Sequence, residues 1–246
     1  MFELSISTSI DKQNYINDLF KKLSLEIKKD AGIVVKQNYY NRAYIAIAID
    51  KKKKDYYISK ILDSIVFMIV DDYKFTYYKD ALKIYEENIV FQSFLKAISI
   101  YDIEIDREII KRNIDFSSDI LVDSLFYFRL QELKARWKKT ADIINLNQIL
   151  HNPSSMLDVL KYLTTMSESS TSLTEILISK NQLKLKCSNK NKCFKRNFDG
   201  ISNFLTELIS INPLKINLKV TDSSNGGREV LNVISQIFND KIYIIS

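Results

Sequence analysis

At 246 residues, with 46% hydrophobic and 27% charged residues, the chain is long enough to bury roughly 70–75% of its unfolded surface without disulfides or metals. Disorder over most of its length is thereby excluded. Four glycines and two prolines are too few for an all-β fold that relies on tight turns, so helices with a few strands are expected. The formal net charge is +6, and it is local. Residues 180–196 (KNQLKLKCSNKNKCFKR) hold Lys180, Lys184, Lys186, Lys190, Lys192, Lys195 and Arg196 and no acid. Without those seven, the 36 bases fall to 29 against 30 acids.

In chain order, FELSIS (2–7) alternates as a short strand. DKQNYINDLFKKLSLEIKKD follows with Ile16, Leu19, Phe20, Leu23 and Ile27 at helical spacing, Asp11 as N-cap and Gly32 as terminator. IVVKQ (33–37) and AYIAIAI (43–49) are two strands joined by a turn at Asn38–Arg42. A lysine run, 51–54, leads into a buried helix over 56–72. This β-α-β-β-α order opens a ferredoxin-like unit. From 75 to 168 the pattern is helical, with pieces at 78–100, 105–113, 118–146 and 154–167. Ser118 caps the third, and Asn152-Pro153-Ser154-Ser155 marks a break and restart.

After the Ser/Thr-rich stretch SESSTS (167–172), TEILISK and QLKLKCS form a hairpin about Lys180–Asn181. FDGISNFLTELISI (198–211) is a helix weakened at Gly200. Pro213 introduces the strand LKINLKV, TDSSNGG is a turn, REVLNVISQIF a helix and KIYII the last strand. A crossover helix between the final two strands makes them parallel neighbours. The expected fold class is α+β: an N-terminal β-α-β-β-α unit, a central helical layer and a C-terminal hairpin followed by α-β-α-β. The expected segments are 1–75, 76–168 and 169–246, combining into either one compact domain or several.

The most apolar run, ILDSIVFMIV (61–70), contains Asp63 and ends at Asp71 and Asp72. It is half the length of about 20 residues that a membrane span needs. The start, MFELSISTSI, lacks a basic segment followed by an apolar block. A cytoplasmic chain is expected.

Within LVDSLFYFRLQELKARWKKT (121–140), Val122, Leu125, Phe126, Leu133 and Trp137 fall on one side of a helix at 100° per residue, and Arg129 lies among them. A charge there is paired, snorkels to water or meets a ligand. One reading is an anion site, since guanidinium forks match oxyanions. The other is a structural brace, with Glu132 or an acid from another helix as partner. The basic segment 180–196 is either a contact for nucleic acid or an anionic membrane surface, or a solvated edge whose lysines discourage aggregation.

Cys187, Cys193 and a lone histidine, His151, fall short of the four ligands of a structural zinc site, so neither metal nor cofactor is expected. SSNGGRE (223–229) precedes a helix but lacks the order of a phosphate loop. Asp71-Asp72 and Glu86-Glu87 are adjacent acids that point to different helix faces. No triad, zinc motif or nucleophile elbow is present, and no reaction is specified.

FYFRLQELKARWKKTAD resembles the signature of the YtxC sporulation family, an F-x-x-F-R-L-x-E-L run on a long central helix. The matching residues are Leu125, Phe128, Arg129, Leu130, Glu132 and Leu133, with Leu125 in place of the first phenylalanine. FLTELISINPLKINLKV (204–220) and VLNVISQIFNDKIYI (230–244) are also similar to that family, and the likeness spans 80–246. Many members continue into a cysteine-bearing tail, whereas this sequence ends at Ile244-Ile245-Ser246. The resemblance implies a sporulation-associated protein of endospore-forming bacteria with no established enzymatic activity, in which Arg129 and Glu132 act as an internal brace beside Leu133 and Trp137. The function expected is non-catalytic and exercised through an unknown protein partner. The alternative is polyanion binding through 180–196, and an enzyme with a site near Arg129 is the third reading.

Overall fold

Residues 1–30, 32–84, 88–117, 119–166, 172–179, 182–189, 192–198, 201–220 and 225–244 are described in a computed structural model of the chain. The protein is α+β, and its described residues divide into two units, each with its own mixed sheet. The first unit comprises residues 1–77 and 102–140, and the second 78–101 and 141–246. The expected division at 75 and 168 therefore differs from the observed one, because the helical stretch contributes to both units.

In the first unit, β1 (Phe2–Ser9), α1 (Gln13–Lys29), β2 (Ile33–Tyr39) and β3 (Arg42–Ile49) follow the expected order. The helix α2 (Lys54–Met68) continues through a π-helical stretch, Ile69–Lys74, into α3 (Phe75–Ala81). After α4 (Ile89–Ile100) of the second unit come α5 (Ile103–Asn113), a two-residue strand β4 (Ile120–Leu121) and a single turn, α6 (Val122–Ser124). A second π stretch, Leu125–Arg129, then leads into α7 (Gln131–Leu146). The sheet order is β2-β3-β1-β4, with β1 antiparallel to β3 and parallel to β4.

Helix α1 turns Ile16, Leu19, Leu23 and Ile27 inward, and β3 alternates to bury Ala43, Ile45, Ile47 and Ile49. The matching periods of 3.6 and 2 let one helix stripe cover one sheet face. The other face of this sheet stays open, so Ile33 and Val35 of β2 are more than half exposed.

The second unit continues with α8 (Pro153–Met166), β5 (Leu173–Ser179), β6 (Gln182–Asn189), β7 (Lys192–Phe198), α9 (Ile201–Ile211), β8 (Lys215–Val220), α10 (Asn225–Phe238) and β9 (Ile242–Ile244). The sheet order is β7-β6-β5-β8-β9, and β8 is parallel to both β5 and β9, as a crossover helix between neighbouring strands requires. Ile176, Ile178, Leu185, Ile216 and Leu218 line its covered face, and Phe94, Phe204, Leu208, Met156 and Ile234 fill the helical layer.

Three expectations change. The C-terminal hairpin is a three-stranded antiparallel ribbon. Its third strand, KCFKRNF, escapes a periodicity reading because its polar residues do not alternate with apolar ones. The helix expected over 78–100 is broken between Ala81 and Ile89, where the Asn88 side chain accepts from the Val90 N–H at 2.8 Å and caps α4. The helix expected over 118–146 opens with a strand and a π turn. Ser118, Glu86, Glu87, Gly200 and Ser223-Ser224 lie outside the described residues, whereas Asn225-Gly226-Gly227 form the first turn of α10.

Gly32 follows α1 as expected, but close approach explains it better than helix termination. A Cβ there would sit 2.8 Å from the Ala48 carbonyl oxygen and 2.8 Å from Ile27 Cγ2. Gly32→Ala should therefore destabilise the protein by about 1–3 kcal/mol, measured by urea unfolding. An unchanged midpoint would show that the β3 backbone yields freely.

Candidate functional site

The first unit is joined at one carboxylate. Asp123, in the turn after β4, accepts from the Ser9 backbone N–H at 3.0 Å, from Thr8 Oγ1 and Ser9 Oγ at 3.3 Å each, from Arg42 Nη2 at 2.9 Å and from the Tyr73 hydroxyl. A carboxylate offers about four lone-pair sites, so these donors saturate it. Arg42 also donates to Ser7 Oγ at 3.1 Å. Tyr73 comes from the first π stretch. Burial and the Asp123 carboxylate together push its phenol well above the usual tyrosine range. The two neighbouring acids are also engaged: Asp71 accepts from the Tyr15 hydroxyl at 2.8 Å, and Asp72 pairs with Lys12, whose ammonium lies over the Tyr73 ring. With donors from β1, β3 and the first π stretch on its two oxygens, Asp123 serves as a joint between these segments.

This joint orients the segment that follows. Tyr73 packs on Phe126 with ring centroids 4.4 Å apart, and Phe126 stacks on Trp137 at 5.8 Å. The π turn over Leu125–Arg129 ends at Leu130, which leaves helical geometry (φ −97°, ψ 41°) before α7 begins. Leu125, Phe126, Leu130, Leu133 and Trp137 consequently point inward, while Tyr127, Phe128 and Arg129 are exposed. The regular wheel placed Arg129 on the buried side. The wider turn moves it out and gives its place to Leu130.

The expected Arg129–Glu132 brace is corrected accordingly. Among the described residues Arg129 makes no ion pair within 4 Å, and Glu132 pairs instead with Arg112 at 3.2 Å. A buried brace does exist, built on another cation. Lys74, fully buried, donates to Asp106 Oδ2 at 2.7 Å and to Asp102, and Trp137 Nε1 donates to Asp106 Oδ1 at 3.4 Å. Burial raises the Asp106 carboxyl above the usual carboxylate range, outweighing the pull of Lys74. The signal was legible: Val66, Val70 and Lys74 succeed one another at i+4 on a row of buried side chains, which is the same logic that singled out Arg129.

Beside the exposed motif residues lies a cavity of about 290 Å³, walled by Ile114, Ile120 and Leu125 and rimmed by Asp115, Asp119, Phe128 and Arg129. A second hollow of about 320 Å³ also has Asp119 in its wall and lies along the open sheet face at Ser5, Ile33, Val35, Ala46 and Ala48. Each volume is at or near the lower limit, about 300 Å³, of small-molecule sites. The surface combines apolar walls with a guanidinium and carboxylates on the rim, as protein interfaces do.

Of the basic segment, Lys180 and Lys190 lie outside the described residues, as do the side chains of Lys192, Lys195, Arg196 and Cys193. Lys184 and Lys186 stand on the open face of the second sheet, with Leu185 and Cys187 buried on the other. Lys186 pairs with Glu175 at 2.8 Å, and Cys187 Sγ lies 3.5 Å from Thr174 Oγ1. His151 is exposed in a short 3-10 turn. Among the described residues, no group of three or more potential ligands is placed to hold a metal ion, and no helix is long and apolar enough to cross a membrane. No family model matches the chain, and no curated protein or solved structure matches it either.

Removing the Asp123 carboxylate as Asp123→Ala strands the Ser9 N–H, the Arg42 guanidinium and the Tyr73 hydroxyl together. It should cost roughly 2–3 kcal/mol by denaturant unfolding; a loss below about 0.5 kcal/mol would show that water replaces it freely. Lys74→Met leaves Asp106 buried without its cation and should destabilise by about 3–5 kcal/mol. Lys74→Met with Asp106→Asn should recover part of that loss, and a double variant weaker than the single one would contradict the pairing.

Proposed function

We propose that this chain is a sporulation-associated protein of the YtxC-like kind, acting in the cytoplasm through protein contacts and catalysing no reaction of its own. The resemblance of FYFRLQELKARWKKTAD to that family's signature supports the reading. The exposure of half of that signature carries it. Leu125, Leu130 and Leu133 are buried, whereas Phe128 is 78% exposed and stands with Arg129 on the rim of the 290 Å³ cavity. A motif that served packing alone would bury its phenyl ring, since leaving it in water forfeits about 1.5–3 kcal/mol. A protruding aromatic beside an uncompensated guanidinium is instead the composition of an interface anchor.

The surface extends beyond the motif. Leu121 is 43% exposed in the same cavity wall, and Ile33 and Val35 border the adjoining hollow. The partner favoured here presents an apolar side chain to the cavity and an acidic group to Arg129.

The test uses Phe128→Ala and Arg129→Glu. Both residues are exposed, so each variant should unfold within about 0.5 kcal/mol of the parent. Each should also abolish the cross-link that a photoreactive residue at position 121 forms with a partner in sporulating cells of an endospore-forming host. A cross-link that survives both substitutions would overturn the assignment of the surface. An unchanged yield of heat-resistant spores after loss of the protein would overturn the sporulation role.

A further inference from the structure

The open face of the second sheet is a lattice of lysines. Cross-strand register places Lys184 opposite Leu177 and Leu177 opposite Lys219, forming one row. The next row runs Lys186, Glu175, Asn217, Tyr243, and the third runs through Leu173 to Lys215. These side chains are exposed or half-exposed, while their alternates Thr174, Ile176, Leu185, Cys187, Ile216 and Leu218 are buried. Four lysines thus share the described part of this face with a single acid, Glu175, which is paired with Lys186. Three cations are left over. In the β6–β7 backbone register, position 195 stands opposite Lys186. At the far edge Tyr243 is 52% exposed, and Lys215 Nζ lies 5.8 Å from its ring centroid.

The geometry points to single-stranded nucleic acid as the ligand of this face. Rows about 6.7 Å apart along the strands, with strands about 4.8 Å apart, spread the cations over an area and not along a line, so an extended polyanion can lie across several of them. A duplex is disfavoured by width. Five strands span about 19 Å between their outermost axes, whereas the major groove of B-form DNA is about 12 Å wide. An anionic membrane surface is a poorer match, because a bilayer interface rewards a protruding apolar stripe, and here Leu173 and Leu177 are only half-exposed between the lysines. Tyr243 supplies the element that phosphate contacts alone lack: a ring face on which a base can stack, in one row with the Asn217 amide, which can both donate to and accept from a base edge. The lysines set affinity and its salt dependence, and Tyr243 sets the preference for unpaired bases. This face belongs to the second unit and the cavity at Phe128 to the first, and the inference stands whether or not the protein-contact reading does.

The decisive measurement is fluorescence anisotropy of the full chain with short labelled oligouridine and oligothymidine, a duplex of equal length, and vesicles of phosphatidylcholine containing phosphatidylserine. Oligonucleotide affinity should fall by roughly 20–50-fold between 50 and 200 mM salt, as three or four displaced counterions imply. Lys184→Gln with Lys219→Gln should weaken binding about tenfold at the lower salt and flatten the salt dependence. Tyr243→Ala should cost about fivefold or more, and Tyr243→Phe should bind like the parent. Oligouridine bound more tightly than oligothymidine identifies RNA as the ligand; the reverse identifies DNA. The proposal is overturned if neither oligonucleotide binds at 50 mM salt, if the double lysine variant binds like the parent, or if duplex or vesicles bind as tightly as the single strands. Equal losses in Tyr243→Ala and Tyr243→Phe would remove the stacking role.

Discussion

Much of the first unit depends on where one carboxylate finds its donors. Asp123 draws together the end of β1, the start of β3 and the π stretch that follows α2, three segments far apart in sequence. Such a joint is strong because its alternatives are poor. A partly buried guanidinium and a phenol held away from water both lose hydration, and the carboxylate is the acceptor that offsets that loss for both. Once it forms, the chain entering α7 has a fixed origin and direction. The side chains of the π turn divide into those that pack on Tyr73 and Trp137 and those that face water. Phe128 and Arg129 are on the side of the turn that faces water. A regular helix through the same residues would have turned the arginine inward.

Both π stretches have the same effect. Each inserts extra backbone per turn and shifts the register of the residues beyond it. In the first, Tyr73 reaches Asp123 while the next residue, Lys74, is directed at Asp106 and Asp102. Two adjacent side chains thereby enter two different polar clusters. The Lys74 cluster is costly to assemble, since both Lys74 and Asp106 are removed from water. It is compensated by near-complete pairing, with Trp137 donating to the second oxygen of Asp106. A shifted register would leave one of these charges buried and unpaired, which is strongly destabilising.

The two sheets share an economy with opposite chemistry. Each covers one face with helices and leaves the other open. The open face of the first carries an apolar patch of Ala46, Ala48, Ile33 and Val35 beside Glu3 and Ser5, and the open face of the second carries lysines in register. An apolar open face gains free energy by excluding water against a partner, whereas a lysine lattice gains by releasing counterions from a polyanion. Two sheets of similar construction therefore suit different classes of contact.

Periodicity alone determined a good deal. The helix of Ile16, Leu19, Leu23 and Ile27, the alternating strand over 43–49, the break at Pro213 and the parallel pairing of the last two strands all follow from residue spacing, because a 3.6-residue or two-residue repeat leaves few ways to bury one face. The concentration of lysines in 180–196 was equally plain, but its meaning was not. Only the register across β5, β6 and β8 joins Lys184 and Lys186 to Lys215 and Lys219, some thirty residues away. The fate of Arg129 also lay beyond one-dimensional reading. Whether a turn has the ordinary or the wider pitch is decided by partners distant in sequence, here Tyr73 and the residues gathered on Asp123, and a helical wheel assumes the pitch that those contacts override.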